Sequence, residues 1–329
     1  MASKTLPAAI AAVVIAVGVG VTQAQAQSQE KVRFAYCVQI HMANMMLMQQ
    51  YAKKCGVDVE PYPIRRYADI QLALTTKQVD MAALGYVNVG LMEEKGFKDY
   101  TVVGGVFRGG QGLVIRSDVP VKKWKDLEGK TIGTAPNSYV ELLFKTTAIL
   151  NGVDMSKVKT ISFATGGPPA VLALRDKQID GFAMWEPTNA DAVLSGAGVY
   201  STLDIGDNPT RHVNGLLAAN TEFASKHKAA VTCMVRALVQ TTDALNANPE
   251  LYQQTAQRGT GANLDVIKTA IPHGTLDYKL YQREGKALLG MLVKAKITAT
   301  DTTAAIDRSF DYSYLMNVTG KSKHDLGGE

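Results

Sequence analysis

Cysteine is scarce in this chain of 329 residues: Cys37, Cys55 and Cys233 are all it has. There is no C-x-x-C and no His/Cys spacing of the zinc type, so an ordinary structural zinc site is excluded and no metal is expected. The odd count leaves at least one thiol free, and an oxidising compartment would permit one disulfide. Cys37 and Cys55 flank a predicted helix of about 13 residues, roughly 20 Å long. No Cys37–Cys55 bond is therefore expected. Charge of one sign is also lacking, with 35 Lys+Arg against 30 Asp+Glu, a net +5, and no run of five basic residues. That removes a nucleic-acid groove and a polybasic membrane patch. Disorder is unsupported too, because 46% hydrophobic and 20% charged residues is ordinary for a globular chain. The length allows one large domain or two of ordinary size.

Long apolar runs are missing except at the start. Lys4 precedes an apolar stretch from Leu6 to Val21, and Ala24 and Ala26 come after it. The order is that of a secretory signal peptide over residues 1–26, cleaved near Ala26. A transmembrane anchor would need about 20 apolar residues, and no Cys stands at the cleavage site for lipid attachment. An exported protein, most simply a periplasmic one, is the expectation.

What the chain has in plenty is internal echo. LALTTKQVD (Leu72–Asp80) and LALRDKQID (Leu172–Asp180) share six of nine positions. Reading outward, Val32–Cys37 is strand-like, Met42–Lys54 helical, Val57–Pro63 extended, Arg66–Lys77 helical and Val79–Gly85 an apolar strand. The second half repeats the order: strand Lys130–Ala135, helix Tyr139–Leu150, strand Val158–Ala164, helix Gly167–Lys177, strand Ile179–Trp185. Two β-α-β-α-β units predict an α/β fold with parallel sheet and flanking helices. The Leu-Ala-Leu of each phrase is expected on a buried helix face, with Lys-Gln ending the helix and Asp opening the turn. Each third strand then delivers the residues after it to the sheet's carboxyl edge, where open parallel sheets bind ligands. Those residues are Gly85-Tyr86-Val87-Asn88 and Trp185-Glu186-Pro187-Thr188.

At these residues the chain resembles a known family, the solute-binding proteins of ABC importers of the nitrate/sulfonate/taurine type, which includes binders of thiamine-pyrimidine precursors. The resemblance rests on VRFAY, KQVDMAALG, GLVIRSD, the block WKDLEGKTIGTAPNSYVELLFKTTAILNGVDMSKVK, PPAVLALRDKQIDGFAMWEP and NGLLAANTEFASKH. It implies a two-lobed periplasmic-binding-protein fold of type II with two crossing hinge strands, Gly112–Ser117 and Val213–Ala218. Lobe 1 is then 31–112 plus 213–329 with its C-terminal helices, and lobe 2 is 117–208. It also implies a monomer that takes a small-molecule ligand, uses no cofactor, and docks on a membrane permease.

Candidate ligand-binding residues come from helix starts and strand ends. Gln39 and His41 open one helix; Asn137, Ser138 and Tyr139 open another, and Gly166 with Gly167 and Pro168 opens a third, each with free N–H groups suited to an anion. Ser138 caps its helix with or without a ligand. Glu186 would receive an amino group on the ligand, against the alternative of a surface ion pair. Gly85, Tyr86 and Trp185 could wall the cleft, against simple burial of the rings. Asn88 and Asn214 are candidate hydrogen-bond donors. The Met-rich start HMANMMLMQQ could hold Cu(I), but Met42, Met45, Met46 and Gln49 share a helix face that suits packing.

Three functions remain in play. The first is a receptor delivering an aminosulfonate, sulfonate or amino-bearing heterocycle to an importer. The second is a sensory module for a membrane kinase. The third is an enzyme like the thiamine-pyrimidine synthase of this fold, disfavoured because that relative's Cys-rich motif is absent. With no Ser-His-Asp or paired-carboxylate arrangement in view, no catalytic residue is assigned.

Overall fold

The computed structural model describes residues 1–2, 30–164, 167–206 and 209–329. The expected signal peptide and Gly166 lie outside the described residues. Eleven strands form two sheets among the described residues: β1 (Glu30–Cys37), β2 (Val57–Ile64), β3 (Met81–Gly85), β4 (Tyr100–Gly109), β5 (Gln111–Ile115), β6 (Thr131–Thr134), β7 (Lys159–Ser162), β8 (Gly181–Trp185), β9 (Val199–Tyr200), β10 (Val213–Asn220) and β11 (Gly274–Leu276). One sheet has the order β11-β4-β10-β3-β1-β2 and the other β7-β6-β8-β5-β9. In the first, β2-β1-β3 run parallel; in the second, β7-β6-β8 do. Each trio is then joined edge-on by one antiparallel strand, β10 beside β3 and β5 beside β8.

The helices between these strands are α1 (Ala43–Ala52), α2 (Tyr67–Thr75), α3 (Tyr86–Glu94), α4 (Tyr139–Leu150), α5 (Pro168–Arg175) and α6 (Thr188–Leu194). Later ones are α7 (Thr221–Lys226), α8 (Lys228–Ala247), α9 (Pro249–Thr260), α10 (Leu264–Ala270), α11 (Gln282–Lys294), α12 (Ala304–Ser309) and α13 (Ser313–Thr319). The two β-α-β-α-β units of the repeat are thus present, element for element.

The repeated phrase closes each unit in the same way. In the first copy the N–H of Gln78 bonds the carbonyl of Ala73 and that of Lys77 bonds Leu74; in the second, Gln178 bonds Ala173 and Lys177 bonds Leu174. That pair of bonds is the Schellman ending, with Lys77 (φ 57°) and Lys177 (φ 59°) in the left-handed position usually held by Gly. The Asp then ties the third strand to the first. Asp80 accepts from the backbone N–H of Arg33 at 2.8 Å, and Asp180 from that of Thr131 at 2.8 Å. Arg33 adds a bidentate ion pair to Asp80. One expectation needs correcting: Leu72 is 58% exposed and Leu172 46%. Only Ala73, Leu74, Ala173 and Leu174 face the core, because three consecutive helix residues cannot all turn inward.

The crossings also differ from expectation. Gly112–Ser117 and Val213–Ala218 are mostly ladder-bonded inside β5 and β10, where β8 and β9, and β3 and β4, satisfy their backbone N–H and C=O groups. The first change of sheet falls at Gly109 and Gly110, at φ 74° and 78°. A Cβ there would stand 2.6 Å from the His273 carbonyl oxygen or from the His41 ring, so glycine is required twice over. The second change lies between β9 and β10.

Cys55 is bonded to Cys233, tying the end of the α1 segment to α8, and Cys37 is free and buried. The partner of Cys55 lies 178 residues away, beyond any spacing rule. The Met-rich helix is core: Met42, Met45 and Met48 are fully buried, and the Met46 thioether covers Gly259.

Two outcomes are expected in urea unfolding. Asp80→Ala and Asp180→Ala each cost about 1–3 kcal/mol, whereas Leu72→Ser and Leu172→Ser stay within about 0.5 kcal/mol. Equal costs for both pairs would contradict the clamp. Replacing Cys55 and Cys233 by Ala should cost about 2–5 kcal/mol, and treating the wild type with reductant should reproduce that loss.

Candidate functional site

The carboxyl ends of the parallel strands from both sheets meet around a front cavity of about 110 Å³. Gln39 lies just after β1; Arg65 and Arg66 come after β2; Pro136, Asn137 and Ser138 lead from β6 into α4; Ala164 comes after β7; Trp185 ends β8. Gln111 and Asn214 come from the strands flanking the two crossings. The walls touch: the Tyr139 ring packs against Gly85, and the Tyr139 hydroxyl donates to the Val213 carbonyl.

The charge of this cavity has one sign. Helices α2 and α4 both begin on it, so their first-turn N–H groups and dipoles point inward. In α4, Ser138 Oγ accepts from the N–H of Glu141 at 3.2 Å, which leaves Tyr139 and Val140 N–H uncapped. No side chain caps α2. Arg65 makes no ion pair among the described residues, and Arg66 pairs with the exposed Asp69. Among the described residues no acid lines the cavity. Among the described residues Tyr67 OH, Gln111 Nε2 and Asn214 Oδ1 are buried with no hydrogen-bond partner. Burial keeps the Tyr67 phenol protonated, so it is a donor. Buried polar atoms without partners, gathered at a positive concavity, mark a place where a ligand can supply the bonds.

A second, larger cavity of about 450 Å³ lies behind the crossings, lined by Arg108, Glu186, Asn189, Tyr200, His212 and His273 among others. Trp185 and Glu186 are adjacent at the end of β8, so they point to opposite sides, one cavity each. Glu186 is 1% exposed. Its Oε1 accepts from Tyr200 OH at 2.7 Å and its Oε2 from Ala190 N–H at 3.0 Å. Tyr200 in turn stacks on His273, the residue just before β11 of the other sheet, centroids 3.9 Å apart.

The candidate residues therefore divide. Gln39, Asn137, Ser138, Tyr139, Trp185 and Asn214 line the front cavity. Glu186 does not; its carboxylate is turned to the back and already holds two donors. His41 is buried against Gly110 and Gly274 and stacks on Phe107, with Nε2–H donating to the Ile271 carbonyl. Burial holds it down at about 4, so it is neutral near pH 7. Gly85 serves as the flat surface for Tyr139. Tyr86 and Asn88 lie inside α3, because that helix starts directly after Gly85. Tyr86 OH accepts from Tyr281 N–H, and Asn88 Oδ1 caps Gly85 N–H. Asn214, expected as a donor, has spent its N–H groups on Gly109 O and Gln111 Oε1.

Arg65, Arg66, Tyr67 and Gln111 lie outside the residues expected from sequence. The repeat itself held the signal: Gly166–Pro168 marks the helix start after β7, and its counterpart after β2 is Arg65–Tyr67.

Glu186 carries a pH dependence. Desolvation pushes its carboxyl from 4.5 up to about 7, against the opposing hydrogen bonds of Tyr200 and Ala190. The folded protein thus holds this proton more tightly than the unfolded chain. Its stabilisation is complete below about pH 4.5 and is lost as pH rises through about 7, by on the order of 3 kcal/mol. Urea unfolding at pH 5 and pH 8 should show that loss in wild type and little of it in Glu186→Gln. Parallel profiles for the two proteins would refute it.

Solved structures of other proteins share this two-sheet architecture. The chain is similar to the alkanesulfonate-binding protein SsuA from Xanthomonas axonopodis pv. citri bound to MOPS, at TM-score 0.72 and 16% identity, covering 86% of this chain and 98% of that one. It is similar to the aliphatic sulphonate-binding SsuA of Escherichia coli at TM-score 0.71 and 17% identity, covering 85% and 91%. The nitrate-binding NrtA of Synechocystis PCC 6803 superposes at TM-score 0.73 and 14% identity, covering 88% of each chain. No curated protein sequence matches. The fold is that of the periplasmic binding proteins. Within it, the chain belongs to the NMT1/THI5-like family, whose model matches residues 48–251.

Proposed function

We propose that the chain is an extracytoplasmic solute receptor that captures a small organic anion between two jaws and delivers it to the membrane permease of an ABC importer. The jaws are 31–112 with 213–329, and 117–208, trimmed by the change of sheet at Gly110. The ligand is a sulfonate or aminosulfonate, or an amino-bearing heterocycle with an anionic group. The carrying observation is the front cavity, where the starts of α2 and α4 converge with Arg65, which makes no ion pair among the described residues, and with Arg66, whose charge is shared with Asp69. Trp185, Tyr67 and Tyr139 add apolar ring surface for the rest of the molecule. Contacts from both jaws exist only when they are shut, so ligand shifts the open–closed balance. Export to the periplasm and action as a monomer complete the reading, which is supported by the family and by the sulfonate- and nitrate-binding proteins that share the fold.

Binding, rather than turnover, suits a lining in which no nucleophile–base pair is assembled. A thermal-shift screen of sulfonates, aminosulfonates, pyrimidines and small carboxylates tests it. A ligand at 100 times its Kd stabilises by about 2.7 kcal/mol. Arg65→Ala with Arg66→Ala should weaken the best hit about 10-fold or more. Silence across the anions, or a hit indifferent to both arginines, would overturn the assignment.

A further inference from the structure

The floor of the front cavity carries more information than its charge. Asn214 sits where the β10–β4 ladder slips: Val213 pairs with Arg108 and Gly215 with Phe107, so Asn214 is the extra residue of a bulge. Bulges beside sites re-aim a side chain at the expense of ladder bonds. The amide of Asn214 is oriented by chemistry that allows one choice. The Gly109 carbonyl, 3.0 Å away, can only accept, so the group facing it is Nδ2. The same nitrogen donates to Gln111 Oε1 at 2.7 Å, which fixes the Gln111 amide in turn. What remains is Asn214 Oδ1, an acceptor, and Gln111 Nε2, a donor, both buried and unpartnered among the described residues. Asn214 is 5% exposed and lines the front cavity but not the back one.

From this we infer that Asn214 Oδ1 is the specificity-determining acceptor of the site, and that the true ligand carries a hydrogen-bond donor, amino, amide or hydroxyl, beside its anionic group. The inference rests on the receptor reading above and narrows it. A bare oxyanion such as nitrate or an unsubstituted alkanesulfonate has only lone pairs. It can satisfy Tyr67 OH and the helix N–H groups, yet it leaves Asn214 Oδ1 buried and facing like charge. Selection is therefore built by an unmet acceptor rather than by Glu186, whose oxygens point to the other cavity and are already occupied.

Calorimetric titration of the mature protein with three probes of one shape decides it: 2-aminoethanesulfonate, 2-hydroxyethanesulfonate and propane-1-sulfonate. The first two should bind at least about 10-fold more tightly than the third. In Asn214→Ala, checked for folding by its unliganded melting temperature, the ratio of the first two affinities to the third should collapse to within about 3-fold, whatever the change in absolute affinity. The wild-type comparison stands alone if the variant does not fold. Equal wild-type affinities, the outcome if an ordered water pairs with Asn214, overturn the inference and leave the receptor reading intact. Silence of all three overturns the inference and removes sulfonates and aminosulfonates from the receptor reading, which then stands or falls on the wider screen.

Discussion

The molecule turns on one narrow passage, the Gly109–Gly110 step where the chain leaves one sheet for the other. No side chain fits there, because the His41 ring presses on one glycine and the His273 backbone on the other. Both glycines take the left-handed backbone that the change of direction needs. The Gly109 carbonyl then accepts the Asn214 amide, and Asn214 holds Gln111. The crossing is thus wired directly to the floor of the cavity, and the geometry that permits two lobes also dictates which polar atoms a ligand meets.

Around that passage the two units are built to one plan but finished differently. Each ends its second helix with the same left-handed lysine and clamps its third strand to its first through an aspartate. The strand registers match as well, Phe34 opposite Met81 and Ile132 opposite Gly181. Beyond the third strand the plans part. In the first unit α3 begins at once, burying Tyr86 and Asn88; in the second the chain runs on through Glu186 and Pro187 before α6. Equivalent positions in the sequence are therefore not equivalent in the site. The functional asymmetry instead lies at the helix starts, where Arg65–Tyr67 faces Asn137–Tyr139.

That asymmetry explains which parts are legible in the sequence. Strands and helices of the repeat can be read because their signals are local: apolar period, Ser138 before Tyr139–Leu150, Gly and Asp at the turns. The helix-start half of the site comes from the same signals, hence Gln39 and Asn137–Tyr139. Three things are not local. Which of Trp185 and Glu186 looks forward depends on how β8 sits against β5. Whether His41 is a ligand group or a neutral filler depends on glycines at 110 and 274. The Cys55–Cys233 bond depends on α8 packing beside α1. Each is decided by tertiary contacts between segments far apart in the chain.

The two cavities then make physical sense as a pair with opposite tasks. On the proposed reading the front one gathers positive potential from two helix starts and Arg65, with Arg66 shared by Asp69, and would draw a small anion. Attraction of that kind discriminates poorly, because charge is common to nitrate, sulfonates and carboxylates alike. Discrimination needs a group whose desolvation is repaid by one chemistry only, and Asn214 Oδ1 has that property at the cavity floor. The back cavity carries both signs, Arg108 and the buried Glu186 among its lining. Burial pushes the Glu186 carboxyl up to about 7, and its partner Tyr200 rests on His273 across the junction. On the proposed reading, keeping that carboxyl on the far side of β8 spares the front cavity a repulsive neighbour about one residue away. The alternation of a single strand end is what separates them.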